Sequence, residues 1–101
     1  MHIFSIKHNQ LRVEFEMFND TVVFSQYCCK LIASEHKDIE VWFSDRVLSI
    51  CSQHIGVLLM ASAMAKECGK KLTIHCVDRL ARSFHILGGK QLELKVREST
   101  L

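Results

Sequence analysis

The chain of 101 residues predicts one α/β domain. It is read as a mixed sheet of four to five strands with helices packed on it, in the order β-β-α-β-α-β-α-β. Three observations carry that expectation. Residues 55–65 form an apolar helical run, strand-length apolar segments at 39–43 and 72–77 flank it, and residues 11–17 and 92–96 alternate apolar and polar side chains. Strands alternating with helices join through right-handed crossovers, which gives parallel pairs within the sheet.

The central run organises the rest. Ile55, Val57, Leu58, Leu59, Met60, Ala61, Ala63, Met64 and Ala65 cover nearly every side of a helix, and a helix apolar all round is buried on most faces. Ser52 stands where an N-cap oxygen accepts one of the orphan first-turn amides. Gly69 follows Lys66 and Glu67, at the position where a left-handed residue closes a helix.

In chain order, residues 2–7 and 11–17 predict two strands, with the turn-forming Lys-His-Asn-Gln segment between them as a hairpin. Leu11, Val13, Phe15 and Met17 lie on one side of the second strand, and Arg12, Glu14 and Glu16 on the other. Val23, Phe24, Tyr27, Cys28, Leu31 and Ile32 recur at three- and four-residue spacing, which predicts an amphipathic helix over 21–34. Residues 39–43 read as a central strand carrying the only tryptophan, Trp42. After the central helix, 72–77 is a fourth strand. Asp78 is the expected N-cap of a short helix closed by Gly88 and Gly89. Leu92, Leu94 and Val96 then mark a last, one-sided strand. Phe4, Phe15, Phe43 and Trp42 are expected in the core, and the pair Met60 and Met64 is read as packing.

Composition narrows the function classes. There is no proline, four glycines and no repeat, so residues 1–101 read as a single domain. Net charge is +2, too small to argue for nucleic acid, and basic residues are not interleaved with aromatics as a single-strand binder requires. Residues 1–50 hold five Lys/Arg and seven Asp/Glu (−2), residues 51–101 eight and four (+4). Lys66, Lys70, Lys71, Arg79, Arg82 and Lys90 therefore read as a solvated rim, with an acidic protein partner as the next reading. The longest apolar run has 11 residues against the ~20 of a membrane helix, so no membrane insertion is expected. The first residues lack a secretory pattern, which places the chain in the cytoplasm. The five cysteines are odd in number with no Cys-x-x-Cys pair, so they read as buried or half-buried free thiols and not as a metal site. No acid/base pair, phosphate-binding glycine loop or nucleophile–base spacing is visible; no enzyme, catalytic residue, metal or cofactor is expected.

The central stretch resembles the signature region of STAS domains, the family of sulphate-transporter tails and anti-sigma-factor antagonists. There a strand leads to an Asp-Ser-Ser/Thr-Gly corner, an apolar Gly-Val-Leu-Leu helix, a basic glycine-containing turn and another strand. Ile55-Gly56-Val57-Leu58-Leu59 matches the helix start, and residues 65–72, Ala-Lys-Glu-Cys-Gly-Lys-Lys-Leu, match the turn. The order of elements fits over residues 2–96, and the family usually adds a closing helix after them. The corner departs from the pattern: Cys51 stands for the aspartate, Ser52 for the first serine, Gln53 for the phosphorylated Ser/Thr and His54 for the glycine. Phosphorylation beside a helix N-terminus adds close to two charges and changes partner binding, but Gln53 offers no hydroxyl. Ser52 is the weak substitute, its oxygen being engaged as the N-cap.

The resemblance implies a non-enzymatic STAS-like interaction module of bacterial regulation. Its protein partner would be a kinase-type anti-sigma factor or a signalling assembly, bound through Cys51, Ser52, Gln53 and His54. The helix start at Asp78 is expected alongside, at the same sheet edge. A homodimer is left open. The alternatives are a STAS subunit of an ABC-type lipid or anion transporter, or a thiol-based redox sensor using Cys51, whose sulfur lies at a helix N-terminus. Beside these stand plainer readings: Cys51 as a small half-buried side chain, and His54 as an exposed polar residue of the first turn.

Overall fold

The computed structural model describes residues 2–17 and 19–98. Its elements follow the predicted order: β1 (Phe4–Lys7), β2 (Gln10–Val13), α1 (Thr21–Ile32), β3 (Asp38–Phe43), α2 (Ser52–Glu67), β4 (Lys71–Val77), α3 (Asp78–Ile86) and β5 (Leu94–Arg97). β1 and β2 form the expected hairpin, with Phe4 opposite Val13 and Lys7 opposite Gln10. His8 turns the chain in the left-handed region, at φ 57°. The remaining pairs, β2–β3, β3–β4 and β4–β5, are parallel.

The spatial strand order is β1-β2-β3-β4-β5. Successive crossovers therefore all step the same way, and crossovers of one hand then lay their helices on one face. Ring contacts locate that face. Phe43 of β3 meets Phe24 of α1 at 6.3 Å and Phe84 of α3 at 5.9 Å between ring centres, both edge-on. Leu11 and Val13, Ile39 and Val41, and Leu72, Ile74 and Cys76 alternate along their strands to complete the buried layer, as the two-residue period of a strand dictates.

Among the described residues no helix covers the opposite face, and its side chains bond to one another. Glu40 accepts from Gln10 Nε2 at 2.9 Å, Trp42 Nε1 at 3.0 Å and His75 Nε2 at 3.0 Å. Burial alone would raise the Glu40 pKa; hydrogen bonds from Trp42, Gln10 and His75 outweigh it and hold the carboxyl below its ordinary value. Trp42 stacks on His75 at 4.1 Å and 8°, and the Arg12 and Arg97 guanidiniums lie 5.4 and 5.6 Å from its ring centre. Trp42 is thus half-buried outside the helix-covered core where the sequence placed it. Phe15 is also half-buried, covered by Arg46 at 5.2 Å.

Several boundaries differ from the sequence expectation. β2 ends at Val13, because Glu14 and Glu16 leave the sheet to bind the loop beyond β3: Ser44 Oγ donates to the Glu14 carbonyl at 2.6 Å. Leu92 is a buried anchor ahead of β5, its amide bonded to Gly89 at 3.1 Å. Val77, not Asp78, is the N-cap of α3; Asp78 is its first residue and accepts from the Arg79 amide at 2.8 Å. Met60 and Met64 are exposed on α2, so the central helix is buried on one side only. Among the described residues no helix is long and apolar enough to cross a membrane.

Both predicted glycine stops are present. Gly69 adopts φ 71°, with its amide on Lys66 at 3.1 Å and that of Lys70 on Ala65 at 2.8 Å. These are the two bonds of a Schellman closure. At the end of α3, Gly88 adopts φ 95° and the Gly89 amide donates to Phe84 at 2.6 Å. A Cβ at Gly89 would sit 2.9 Å from that carbonyl oxygen, so only glycine fits without displacing backbone. Gly89→Ala should therefore lower stability by about 1–3 kcal/mol through forced repacking at Phe84. Urea unfolding reads the loss, and an unchanged midpoint would contradict the tight approach.

Candidate docking corner at the start of α2

Parallel strands β2, β3 and β4 deliver the starts of α1, α2 and α3 to one edge of the sheet, outside the strands' carboxyl ends, where open α/β sheets bind ligands. The segment between β3 and α2 is tied down on both flanks. The Glu16 carboxylate accepts from the Leu48 amide at 2.6 Å, the Ser49 amide at 3.2 Å and Ser49 Oγ at 3.2 Å. Arg97 reaches over from β5 to the Phe43 carbonyl and to Asp45 Oδ1, the latter at 2.9 and 3.1 Å. Val47 and Ile50 plug into the core between these clamps. The corner that follows is therefore held in position.

Cys51 is the N-cap of α2, with extended backbone (φ −100°, ψ 167°) and its carbonyl accepting from the Ile55 amide at 3.2 Å. Ser52, expected at that place, is the first helical residue instead. Its hydroxyl is released from capping, and the Cys51 side chain makes no capping hydrogen bond in its stead. Cys51, Ser52 and Gln53 are exposed together. Cys51 is thus not the half-buried side chain that the sequence suggested.

His54 contradicts the expectation of an exposed first-turn residue. It is 1% exposed, its ring 6.1 Å from Phe24 and edge-on at 73°, so it offers a partner no direct contact. The reason is helical phase. His54, Leu58, Ala61 and Ala65 recur at four, three and four residues and form one buried stripe. That spacing is present in the sequence, but polarity argued against placing a histidine at its head. His54 Nδ1 lies 3.0 Å from Cys51 Sγ, and Nε2 is buried with no partner among the described residues. Burial pushes the His54 pKa below its ordinary 6.5, against the opposing pull of Asp20.

The outer side of α2 continues the exposed corner through Gly56, Met60, Ala63 and Met64. Met60 and Met64 also line a shallow apolar groove between α1 and α2, with Cys28, Cys29 and Val57. All five cysteines are free; Cys28 and Cys76 are buried as expected, whereas Cys29, Cys51 and Cys68 are exposed. Among the described residues no group of three or more His, Cys, Asp or Glu stands close enough to hold a metal ion.

Neither a family model nor a curated protein sequence matches this chain. Solved structures do, and they define the class: the molecule has a STAS-like fold, a five-stranded mixed sheet with three helices. One such neighbour is RsbS of Moorella thermoacetica, in a form with serine replaced by glutamate. It superposes with a TM-score of 0.68 over 93% of this chain and 85% of its own, at 12% identity. At that identity the likeness establishes the fold alone, and it agrees with the order of elements that the Gly56–Leu59 resemblance implied.

A buried histidine that stays neutral makes stability depend on pH. The folded pKa is depressed, so the contribution is present above the ordinary value of 6.5 and is lost as pH falls below it, because the unfolded chain takes up a proton that the folded chain resists. Thermal melts at about pH 7.5 and about pH 5.5 bracket that window. The wild type should lose stability between them and His54→Phe should lose less; equal losses would exclude His54 as the group responsible.

Proposed function

We propose that the chain is a non-enzymatic interaction module of the anti-sigma factor antagonist type, working in the cytoplasm of a bacterium. It docks a regulatory protein, a kinase-type anti-sigma factor or a signalling assembly built on one, through Cys51, Ser52 and Gln53 and the exposed turn after them. His54 supports the corner from beneath.

The observation that carries this reading is Gly56. It lies one turn beyond Gln53 on the exposed side of α2, and a Cβ there would meet nothing within 4 Å. Glycine in a helix interior costs about 0.5–1 kcal/mol relative to alanine. No contact among the described residues returns that cost, as the tight approach at Gly89 does. A bare patch of backbone beside a fixed polar corner is the form taken by a surface that another molecule approaches closely. The shared fold with RsbS supports the same class of module.

The usual phosphorylation switch is absent from this reading. Gln53 occupies the matched position and carries no hydroxyl. Ser52 is the exposed hydroxyl nearest the helix start and the weaker candidate for modification. A transporter-subunit role uses the same fold, and a membrane ATPase as the recovered partner would select it.

The test begins with affinity capture from the native cell and continues with calorimetry on the purified partner. Gly56→Ala should stabilise the chain by about 0.5–1 kcal/mol in thermal melts while weakening docking about tenfold, or ~1.4 kcal/mol. Gln53→Arg should weaken docking by at least as much with the fold unchanged. Full affinity in both variants, or a partner unrelated to regulatory signalling, would overturn the reading.

A further inference from the structure

We infer that β1 is an interface for a second copy of this chain: two β1 strands pair antiparallel about a two-fold axis and join two sheets into one. β1 ends the sheet on one side and pairs with β2 alone. The Glu14 amide donates to the Ile3 carbonyl at 2.8 Å. Ile3, Ser5 and Lys7 therefore direct their main-chain groups to β2, and the residues between them do not. The N–H and C=O groups of Phe4 and Ile6 point outward. An edge of this kind is a template for another strand.

Those outward groups fix one register. Phe4 lies opposite Ile6 of the second copy and Ile6 opposite its Phe4, each pair exchanging both hydrogen bonds, with Ser5 facing Ser5 on the axis. The four apolar side chains then share the helix-covered face. Ile6, 37% exposed in the single chain, enters the groove of the other copy lined by Phe4, Val23 and Tyr27. That groove is firm, because Phe4 packs on Phe24 at 5.7 Å and on Tyr27 at 5.3 Å. The far edge of the sheet gives the contrast. The Ile74 amide bonds to the Glu93 carbonyl at 2.9 Å, which turns Leu94 and Val96 outward. The same operation on β5 sets Lys95 against Lys95, and like charges directly opposite destabilise a strand pair.

Charge favours the β1 pairing as well. Lys7 falls opposite Ile3 of the second copy, whose neighbour across the hairpin is Glu14. Among the described residues neither Lys7 nor Glu14 takes part in an ion pair. α1 packs on β1 and β2 alike. With strands about 4.8 Å apart, the two α1 helices run antiparallel across the axis about 10 Å apart, within packing range. Asp20, just ahead of one α1, then approaches the last turn of the other, which carries Lys30. Val23, 41% exposed, lies on the same side. The facing helices thus extend the strand contact toward the roughly 1,000 Å² that a specific interface needs. The interface rests on the fold and not on the docking reading.

The test is sedimentation equilibrium of the intact chain at about 100 μM, where a dimer should be found. Ser5 is exposed, so Ser5→Lys should keep the fold by circular dichroism and raise the dimer Kd at least about tenfold. A second measurement uses cross-linking under mild oxidant, mapped by mass spectrometry. Ser5→Cys should join to itself across the axis, where facing Cα atoms stand about 4.5 Å apart, within disulfide range. Lys7→Cys should not, since the two copies of position 7 lie about 13 Å apart along the strands. A monomeric wild type overturns the proposal and leaves the edge to a strand of another protein. A dimer that survives Ser5→Lys, or that cross-links as readily through Lys7→Cys, also overturns it, because the copies then meet elsewhere. The docking measurements on Gln53→Arg and Gly56→Ala do not use this edge, so the two failures are distinguishable.

Discussion

Because the strands follow one another in chain order and every crossover steps the same way, the three helices have a single face to cover. The core is consequently one layer, and Phe43 is its meeting point, touched by Phe24 from α1 and Phe84 from α3. Phe24 in turn carries the edge of His54 at the start of α2. The position of the corner is thereby set by the same aromatic chain that joins sheet to helices. Glu16 and Arg97 hold the approach to it from outside.

The uncovered face must be stable without helices. Alternate residues of the strands point there, and a polar group that is half withdrawn from water needs a partner. Glu40 supplies the acceptor for three neighbours, Gln10, Trp42 and His75. Trp42 then fills the remaining space as an apolar plate between His75 and arginine side chains. This layer spans β2 to β5, so it also pins the register of the parallel strands.

At the corner the chain gives up stability in two places. Gly56 occupies an open helical position where alanine would be more favourable. His54 buries a polar ring whose Nε2 has no partner among the described residues, an arrangement that an apolar ring of the same size would avoid. Both of these positions lie within one turn of Gln53.

The order of elements, the hairpin, the two glycine stops and the STAS-like class were all legible in the sequence. Each rests on a local signal: period two, period 3.6, or a glycine whose left-handed backbone no other residue adopts as readily. Side-chain environment was decided by the tertiary structure. Trp42 and Phe43 are neighbours in one strand, yet only strand order determines which of them meets helices. His54 and Gln53 are neighbours in one helix turn, yet only the approach of Phe24 buries the first and leaves the second in water. Sequence spacing places residues along an element; which side of that element faces another is a property of the assembled layers.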